Sequence, residues 1–318
     1  MIRFMISCLL LLTTVAVMAQ TVQQPEAATA TRDDGKLENA LLWKIEGDSV
    51  AGVSWLFGTI HLISADEFFM PPGTEEAIAA SETLVFEIDM AEMTDLGAQL
   101  SMFAKAFMKG GVRLRDLVSD EDYTVIKAHF EEIGIPLFML ERIKPMFLSI
   151  FATGDFTSED FMGGGTTSYE MEFYTLAQQN GAATGGLETM EYQISVFDSI
   201  PYDEQAQMLV ETIKMGDQGN EQFDEMMRAY KAQDVDGLYA MTTSGDSDLG
   251  EYEGLLLDDR NANWIAGMKK YMAGGPTFFA VGAAHLGGPE GVIRLLRAEG
   301  FTVTPVLSDT RSRPMKRF

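Results

Sequence analysis

The chain has 318 residues, with 48 acidic and 23 basic side chains, a formal net charge of −25 and one cysteine. Such a negative chain is a poor partner for nucleic acid, because Lys and Arg are needed to neutralise a phosphate backbone. A single cysteine excludes an internal disulfide framework and a zinc site built from thiolates. Hydrophobic residues make up 46% of the chain, which is enough for a packed core.

The first 19 residues have the pattern of a cleavable secretory signal peptide. A charged start at residues 1–3 precedes an apolar run at 4–17, and compact residues at 17–19 lie before the predicted cleavage point. The alternative is a membrane anchor, but the run is shorter than the roughly 20 residues that a spanning helix needs. We therefore expect a periplasmic or secreted protein without a stable membrane anchor after cleavage.

The rest of the chain alternates strand-like and helical patterns. The first part of the chain predicts strands at 41–46 and 53–57, a helix at 74–81 and a strand at 83–89. The middle predicts helices at 94–108 and 120–133, a helical piece between Pro136 and Pro145, a helix at 169–180, a strand at 183–187, and helices over 203–272 with breaks near 216–219 and 245–250. The last part predicts a strand at 277–281, a helix at 289–299 and a strand at 302–306. This alternation predicts an α/β fold, with flanking helices around a central mixed sheet.

The domain organisation follows from the same patterns. Residues 20–36 are rich in Ala, Thr, Gln and Glu and are interpreted as a flexible leader. Residues 37–307 form the α/β domain, with a large helical insertion at about 94–272. Residues 308–318 form a short basic tail, interpreted as a solvated terminus.

Two of the three histidines occur in the same local context. Residues 55–62 read WLFGTIHL and residues 279–286 read FAVGAAHL, so in both an apolar strand runs into Gly-x-x-His-Leu. The glycine lets the backbone turn sharply or come close to a ligand. Ligands bind at the carboxyl ends of strands in open α/β sheets. If the two strands are neighbours, His61 and His285 point into one crevice, whereas His129 is expected to be a surface helix residue.

Two imidazoles need an anionic third ligand to form a metal site that keeps a position open for water. Glu87 ends the apolar run 84–86, where a buried carboxylate requires a positive partner. Asp89 lies on the same face of the strand and is either a fourth ligand or an acceptor that orients an imidazole. Two histidines and a carboxylate suit Zn, Mn, Fe or Co, and such a metal supports hydrolysis at neutral pH.

Three further features lie near this pattern. Residues 287–290 predict a helix that begins directly after His285, and its amino end would favour the neutral, metal-binding imidazole. Glu188 precedes a predicted helix cap at Thr189 and can face the crevice. Arg260 either stabilises developing negative charge or belongs to a structural ion pair.

A set of short segments resembles the TraB/PrgY/GumN family, and the bacterial GumN-like branch most. The segments are 42–45 (LWKI), 57–62 (FGTIHL), 186–189 (GLET), 260–261 (RN) and 281–286 (VGAAHL). The likeness covers about residues 37–307. It implies a fold related to Tiki metalloproteases and, more distantly, to erythromycin-esterase-like and ChaN-like proteins.

The resemblance also implies a set of site residues. His61, His285 and Glu87 would hold a divalent transition metal (Mn, Co or Zn), with Glu188 and Arg260 as supporting catalytic residues. Where the family is expected to have Gly-x-Asp, this chain has residues 168–170 (SYE), which leaves the role of Glu170 open.

The function expected from these observations is a secreted or periplasmic metallohydrolase that cleaves peptide or protein substrates. One alternative is a non-catalytic protein that binds a peptide or haem in the same crevice. Another, suggested by the family name, is an accessory factor in the biosynthesis or export of cell-surface polysaccharide.

Overall fold

A six-stranded mixed sheet forms the centre of the computed structural model, which describes residues 35–94, 96–152, 165–243 and 252–307. The strands are β1 (Leu42–Glu46), β2 (Ser54–Thr59), β3 (Ile63–Ser64), β4 (Thr83–Ile88), β5 (Thr166–Thr167), β6 (Ala183–Glu188), β7 (Thr277–Gly282) and β8 (Thr302–Pro305). The main sheet has the order β6-β4-β7-β2-β1-β8, while β3 and β5 form a separate pair. The predicted α/β class with a central mixed sheet is confirmed.

Helices flank the sheet. They are α1 (Thr74–Ala79), α2 (Met90–Thr94), α3 (Leu96–Lys105), α4 (Asp120–Glu132), α5 (Pro145–Leu148), α6 (Tyr169–Asn180), α7 (Met190–Phe197), α8 (Tyr202–Met215), α9 (Asp217–Lys231), α10 (Val235–Thr243), α11 (Asp259–Gly274) and α12 (Val292–Ala298). Side-chain caps start two of them as the sequence predicts: Ser119 Oγ accepts the Asp122 amide before α4, and Thr189 Oγ1 accepts the Tyr192 amide before α7. None of the helices in the described ranges is long and apolar enough to cross a membrane.

Four neighbouring strands, β6, β4, β7 and β2, run parallel. Parallel strands are covered on both faces, and all six residues of β7 are buried, which explains its continuous apolar sequence. The register pairs Thr59 with Gly282 and Ile88 with Glu188, so the carboxyl ends of the four strands lie at one edge. β1 pairs antiparallel with β2 and with β8, which completes the sheet on the other side.

An aromatic cluster fixes α6 against this parallel half of the sheet. The ring of Phe57 lies 5.7 Å from that of Tyr169 and 5.0 Å from that of Phe173, and Phe173 lies 5.4 Å from Phe278. All four side chains are fully buried. Because Tyr169 and Phe173 belong to α6, their packing also fixes Glu170 next to the sheet.

Several sequence expectations need correction. The strand predicted at 183–187, within the helical region at about 94–272, is confirmed as β6, which pairs with β4 in the main sheet. The segment between Pro136 and Pro145 contains only the short 3-10 turn Leu137–Met139. The helix predicted at 94–108 corresponds to α3, which ends at Lys105. The predicted signal peptide and basic tail, and the leader up to residue 34, lie outside the described residues.

The helix expected at 289–299 begins only at Val292. Gly288 adopts a φ of 79°, and Gly291 is extended with φ −68° and ψ 149°. Neither conformation continues a helix, so residues 287–291 form a wide turn. The turn packs against α10, because a Cβ on Gly288 would lie 2.4 Å from the Tyr239 ring.

We predict that Gly58→Ala destabilises the fold by about 1–3 kcal/mol, the usual cost of overpacking a core. A Cβ at Gly58 would lie 3.0 Å from both Cα and Cβ of Ala283, in the turn that carries His285. Gly274→Ala is the matched control, since Gly274 lies in α11 with open space around it and should lose no stability. Urea unfolding of both variants checks this; equal stability of Gly58→Ala and wild type would contradict it.

Candidate functional site

The carboxyl ends of the parallel strands bring the predicted residues together. His61 follows β2, His285 follows β7, Glu87 lies in β4 and Glu188 ends β6. A Cβ built on Gly282 would lie 3.6 Å from Nε2 of His61, 3.4 Å from Oε1 of Glu87 and 3.4 Å from Cδ2 of His285. The two histidines and Glu87 therefore border one small space beside a glycine.

This space explains the glycine of the second Gly-x-x-His segment. Gly282 has φ −53° and ψ 137°, a conformation open to any residue, so the alternative of a sharp turn is wrong for this position. A Cβ would make ordinary contacts here but would fill the space between the three donor groups, so glycine keeps that space open.

Glu170 orients His61. Its Oε1 lies 2.9 Å from Nδ1 of His61 and accepts a hydrogen bond from Thr59, while Ser168 donates to its Oε2. Because a carboxylate only accepts, Nδ1 carries the proton and Nε2 of the neutral ring keeps a lone pair. Burial lowers the pKa of His61, but the charge and hydrogen bond of Glu170 outweigh burial and raise it above its ordinary value. Glu170 thus takes the role that the sequence left open.

Asn261 orients His285 in the same way. Its Nδ2 donates to the carbonyl of Glu290, so its Oδ1 faces Nδ1 of His285 at 2.7 Å and accepts a hydrogen bond from it. Nε2 of His285 then accepts a hydrogen bond from Nη1 of Arg260 at 2.8 Å. Burial, followed by the charge of Arg260, lowers the pKa of His285 to about 3. The ring is neutral for these reasons and not because of a following helix, which starts too late.

Glu87 is a buried carboxylate whose two oxygens have different neighbours. Oε1 accepts the Gly282 amide at 2.8 Å and lies 3.9 Å from Nε2 of His285. Oε2 accepts from Arg260 at 2.6 Å and from Gln193 at 3.3 Å. Burial raises the pKa of Glu87, but the charge of Arg260, the two site histidines and the Gly282 amide together outweigh it, and the pKa falls to about 2. Glu87 is therefore ionised at neutral pH, with Oε1 next to the histidines.

All five N–H groups of Arg260 are used inside the protein. They donate twice to Glu188, from Nε to Oε2 at 3.3 Å and from Nη2 to Oε1 at 2.6 Å, and once each to Glu87, His285 and the Leu256 carbonyl. Glu188 also accepts from Trp264 and Gln193. Because every N–H group of Arg260 is used, the structure favours the interpretation of Arg260 as part of a structural ion pair with Glu188. Neither side chain has a polar group left to bind a substrate.

Two other sequence expectations fail. Asp89 accepts the Ala91 amide at 3.0 Å, and among the described residues it has no hydrogen bond to either site histidine. The strand ends at Ile88, so Asp89 lies beyond it. His129 lies in α4 as predicted but is half-buried, with Nε2 2.6 Å from the Phe151 carbonyl.

The donor set fits a divalent metal in chemical type and in charge. Two oriented imidazoles and a carboxylate border one space, and Glu87, Glu170 and Glu188 outnumber the single guanidinium among the buried charges. Within the described ranges, no three His, Cys, Asp or Glu side chains stand in the geometry of a preformed metal cluster. The hydrogen bond from Arg260 engages Nε2 of His285, so a metal on that nitrogen would replace this contact.

An acidic cluster flanks the site at the turn Gly254–Asp258, a π-helical turn that leads into α11. Oδ1 of Asp258 is buried and has no hydrogen-bond partner among the described residues. Burial, and then the charges of Glu253, Glu290 and Asp259, raise the pKa of Asp258 to about 6.

Comparisons with known proteins agree with this architecture. The family model described as the TraB/PrgY/gumN family matches residues 41–305. The chain is 22% identical to Metalloprotease TIKI2 of Danio rerio, over 83% of this chain and 60% of that protein. It is 22% identical to Metalloprotease TIKI1 of Homo sapiens, over 83% of this chain and 61% of that protein. The chain thus spans about three fifths of the length of these relatives. No solved structure gives a significant match.

We predict that Asp258→Asn gains stability relative to wild type as the pH rises from 4 to 7. The folded pKa of about 6 lies above the ordinary value of 3.8, so the folded state binds this proton more tightly than the unfolded state. The stability that wild type gains from this proton is therefore lost as the pH rises through 6. The asparagine side chain of the variant does not titrate, so its stability does not change for this reason. Thermal unfolding of both proteins across this range measures the difference in midpoint; a difference that stays constant would contradict the assignment.

Proposed function

This chain belongs to the TraB/PrgY/gumN family, and we propose that it is a metal-dependent hydrolase that cleaves peptide bonds in the periplasm or outside the cell. The observation that carries the proposal is the convergence of His61, Glu87 and His285 around Gly282. These side chains come from three neighbouring parallel strands, whose carboxyl edge is the usual ligand site of an open α/β sheet.

The three residues would hold a divalent transition metal, Mn, Co or Zn, through Nε2 of each imidazole and Oε1 of the carboxylate. When bound, such a metal lowers the pKa of water and polarises a carbonyl, which is the chemistry of hydrolysis. Glu170 and Asn261 each hold Nδ1 of one imidazole, so Nε2 is the nitrogen left for a metal, which on His285 would replace the Arg260 contact.

Charge supports a divalent rather than a monovalent cation. A metal binds the neutral form of each imidazole. In that state Glu87, Glu170 and Glu188 carry three negative charges and Arg260 carries one positive charge, and all four side chains are at most 5% exposed. A buried excess of two negative charges is costly without a counter-ion. One divalent cation would neutralise it.

Two observations support the choice of substrate and compartment. The relatives at 22% identity are named metalloproteases, which favours peptide bonds among hydrolysable bonds. The apolar run at residues 4–17, with compact residues before position 20, favours export through a secretory signal.

We predict that the purified protein binds one Mn²⁺, Co²⁺ or Zn²⁺ ion, and that His61→Ala and His285→Ala each weaken binding at least about 100-fold. Each substitution removes one of three ligands, so both should act about equally. His129→Gln is the control, because His129 lies in α4 and bonds to the Phe151 carbonyl, so its replacement should leave the affinity unchanged. Isothermal titration with each metal measures the dissociation constants.

Negligible binding of all three metals by wild type would contradict the proposal and favour a non-catalytic binding protein. If metal binds, incubation with a peptide library, followed by mass spectrometry, tests the reaction. We expect cleavage products that disappear on chelation and in both site-histidine variants; a metal-loaded protein that leaves every peptide intact would contradict hydrolysis.

We predict that Gly282→Ala folds but loses most metal affinity, by about tenfold or more. The new Cβ makes only ordinary contacts of 3.4–3.6 Å, so the fold tolerates it, but the methyl group fills the space between the donors. The variant keeps every ligand, so it tests the space itself. Titration with Co²⁺ measures the metal affinity, and thermal unfolding shows whether the variant folds. A metal affinity equal to that of wild type would show that the cation binds elsewhere.

A further inference from the structure

Gln193 lies between the two buried carboxylates of the site. It belongs to α7 and is 0% exposed. Its Nε2 donates to Oε2 of Glu87 at 3.3 Å and to Oε1 of Glu188 at 2.7 Å. Because both neighbours only accept hydrogen bonds, the amide nitrogen and not the oxygen must face them.

This orientation leaves the amide oxygen without a partner. Oε1 of Gln193 is buried and accepts no hydrogen bond from any described residue. A buried acceptor without a donor costs free energy, and such groups in native proteins call for an explanation. An apolar side chain of similar length would avoid this cost.

Gln205 shows how a buried glutamine is satisfied when its role is structural. It is also 0% exposed, and its Nε2 donates to the Ile200 carbonyl at 2.8 Å. Its Oε1 accepts the Met146 amide at 3.3 Å. Both ends of Gln205 are thus paired, and it joins α8 to α5 away from the site.

The contacts of Gln193 act on carboxylates that repel each other. Glu87 and Glu188 belong to the neighbouring strands β4 and β6, and Arg260 Nη2 and Gln193 Nε2 bridge the same two side chains. Arg260 supplies the charge. Gln193 adds a second, neutral bridge to Oε2 of Glu87, so that Oε1 is left for the Gly282 amide and the space between the histidines.

We propose that Gln193 is a positioning residue that fixes the Glu87 carboxylate for cation binding, at the expense of its own unpaired oxygen. The inference rests on the proposed function, because Glu87 is there a metal ligand. A residue with this role supports function at some cost in the stability of the fold. Replacing it by an apolar residue should therefore weaken cation binding and preserve or raise the stability.

The test compares Gln193→Met with Gln205→Met in the full chain. Methionine has a similar length and no strong hydrogen-bonding group. For Gln193→Met we expect a Co²⁺ dissociation constant at least tenfold above wild type, with a thermal midpoint equal to or above wild type. For Gln205→Met we expect the reverse, with an unchanged Co²⁺ affinity and a lower midpoint. Gln193→Leu repeats the measurement in case methionine is poorly accommodated.

Each outcome has a distinct meaning. Wild type that binds no Co²⁺ removes the proposed function and this inference with it. Wild type and Gln193→Met with equal Co²⁺ affinity overturn the positioning role alone. Gln193 variants that lose stability as Gln205→Met does would show a structural glutamine and also overturn it.

Discussion

Two carboxylates end up inside the protein because Arg260 lies between them. Glu87 and Glu188 come from neighbouring strands, and the guanidinium donates to both while it also contacts His285 and the Leu256 carbonyl. Without this cation, two like charges would lie unpaired in the interior. Removing one partner of a buried ion pair typically costs about 3–5 kcal/mol. The charge of Arg260 favours the ionised state of Glu87, and together with burial, which is the larger cause, it favours the neutral state of His285.

The sheet converts a pattern spread over the chain into one local arrangement. Parallel pairing of β7 with both β2 and β4 puts the carboxyl ends of three strands side by side. Two glycines then allow close approach: Gly58 lets β2 pack against the turn after β7, and Gly282 leaves room between the donor groups. Residues that are far apart in the sequence therefore lie in one site because their strands are neighbours in the sheet.

The sequence predicts the fold class, the pairing of His61 with His285 and the presence of Glu87, because repeated Gly-x-x-His segments after apolar strands carry a strong pattern. It does not predict Glu170, Asn261 or Gln193 as their partners. Gln193 meets Glu87 across 106 positions, and a glutamine in the first turn of a helix has no distinguishing pattern. The expected helix after His285 fails because Gly288 and Gly291 favour a turn.

The central claim is that the two histidines and Glu87 form one cation site, and diffraction from crystals grown with Co²⁺ tests it most directly. Data at the cobalt absorption edge locate the metal without reference to activity. We expect an anomalous peak roughly 2.0–2.3 Å from Nε2 of His61, Nε2 of His285 and a Glu87 oxygen, the normal range for such ligands. Well-ordered crystals with cobalt bound only at surface carboxylates, and no peak beside Gly282, would contradict it.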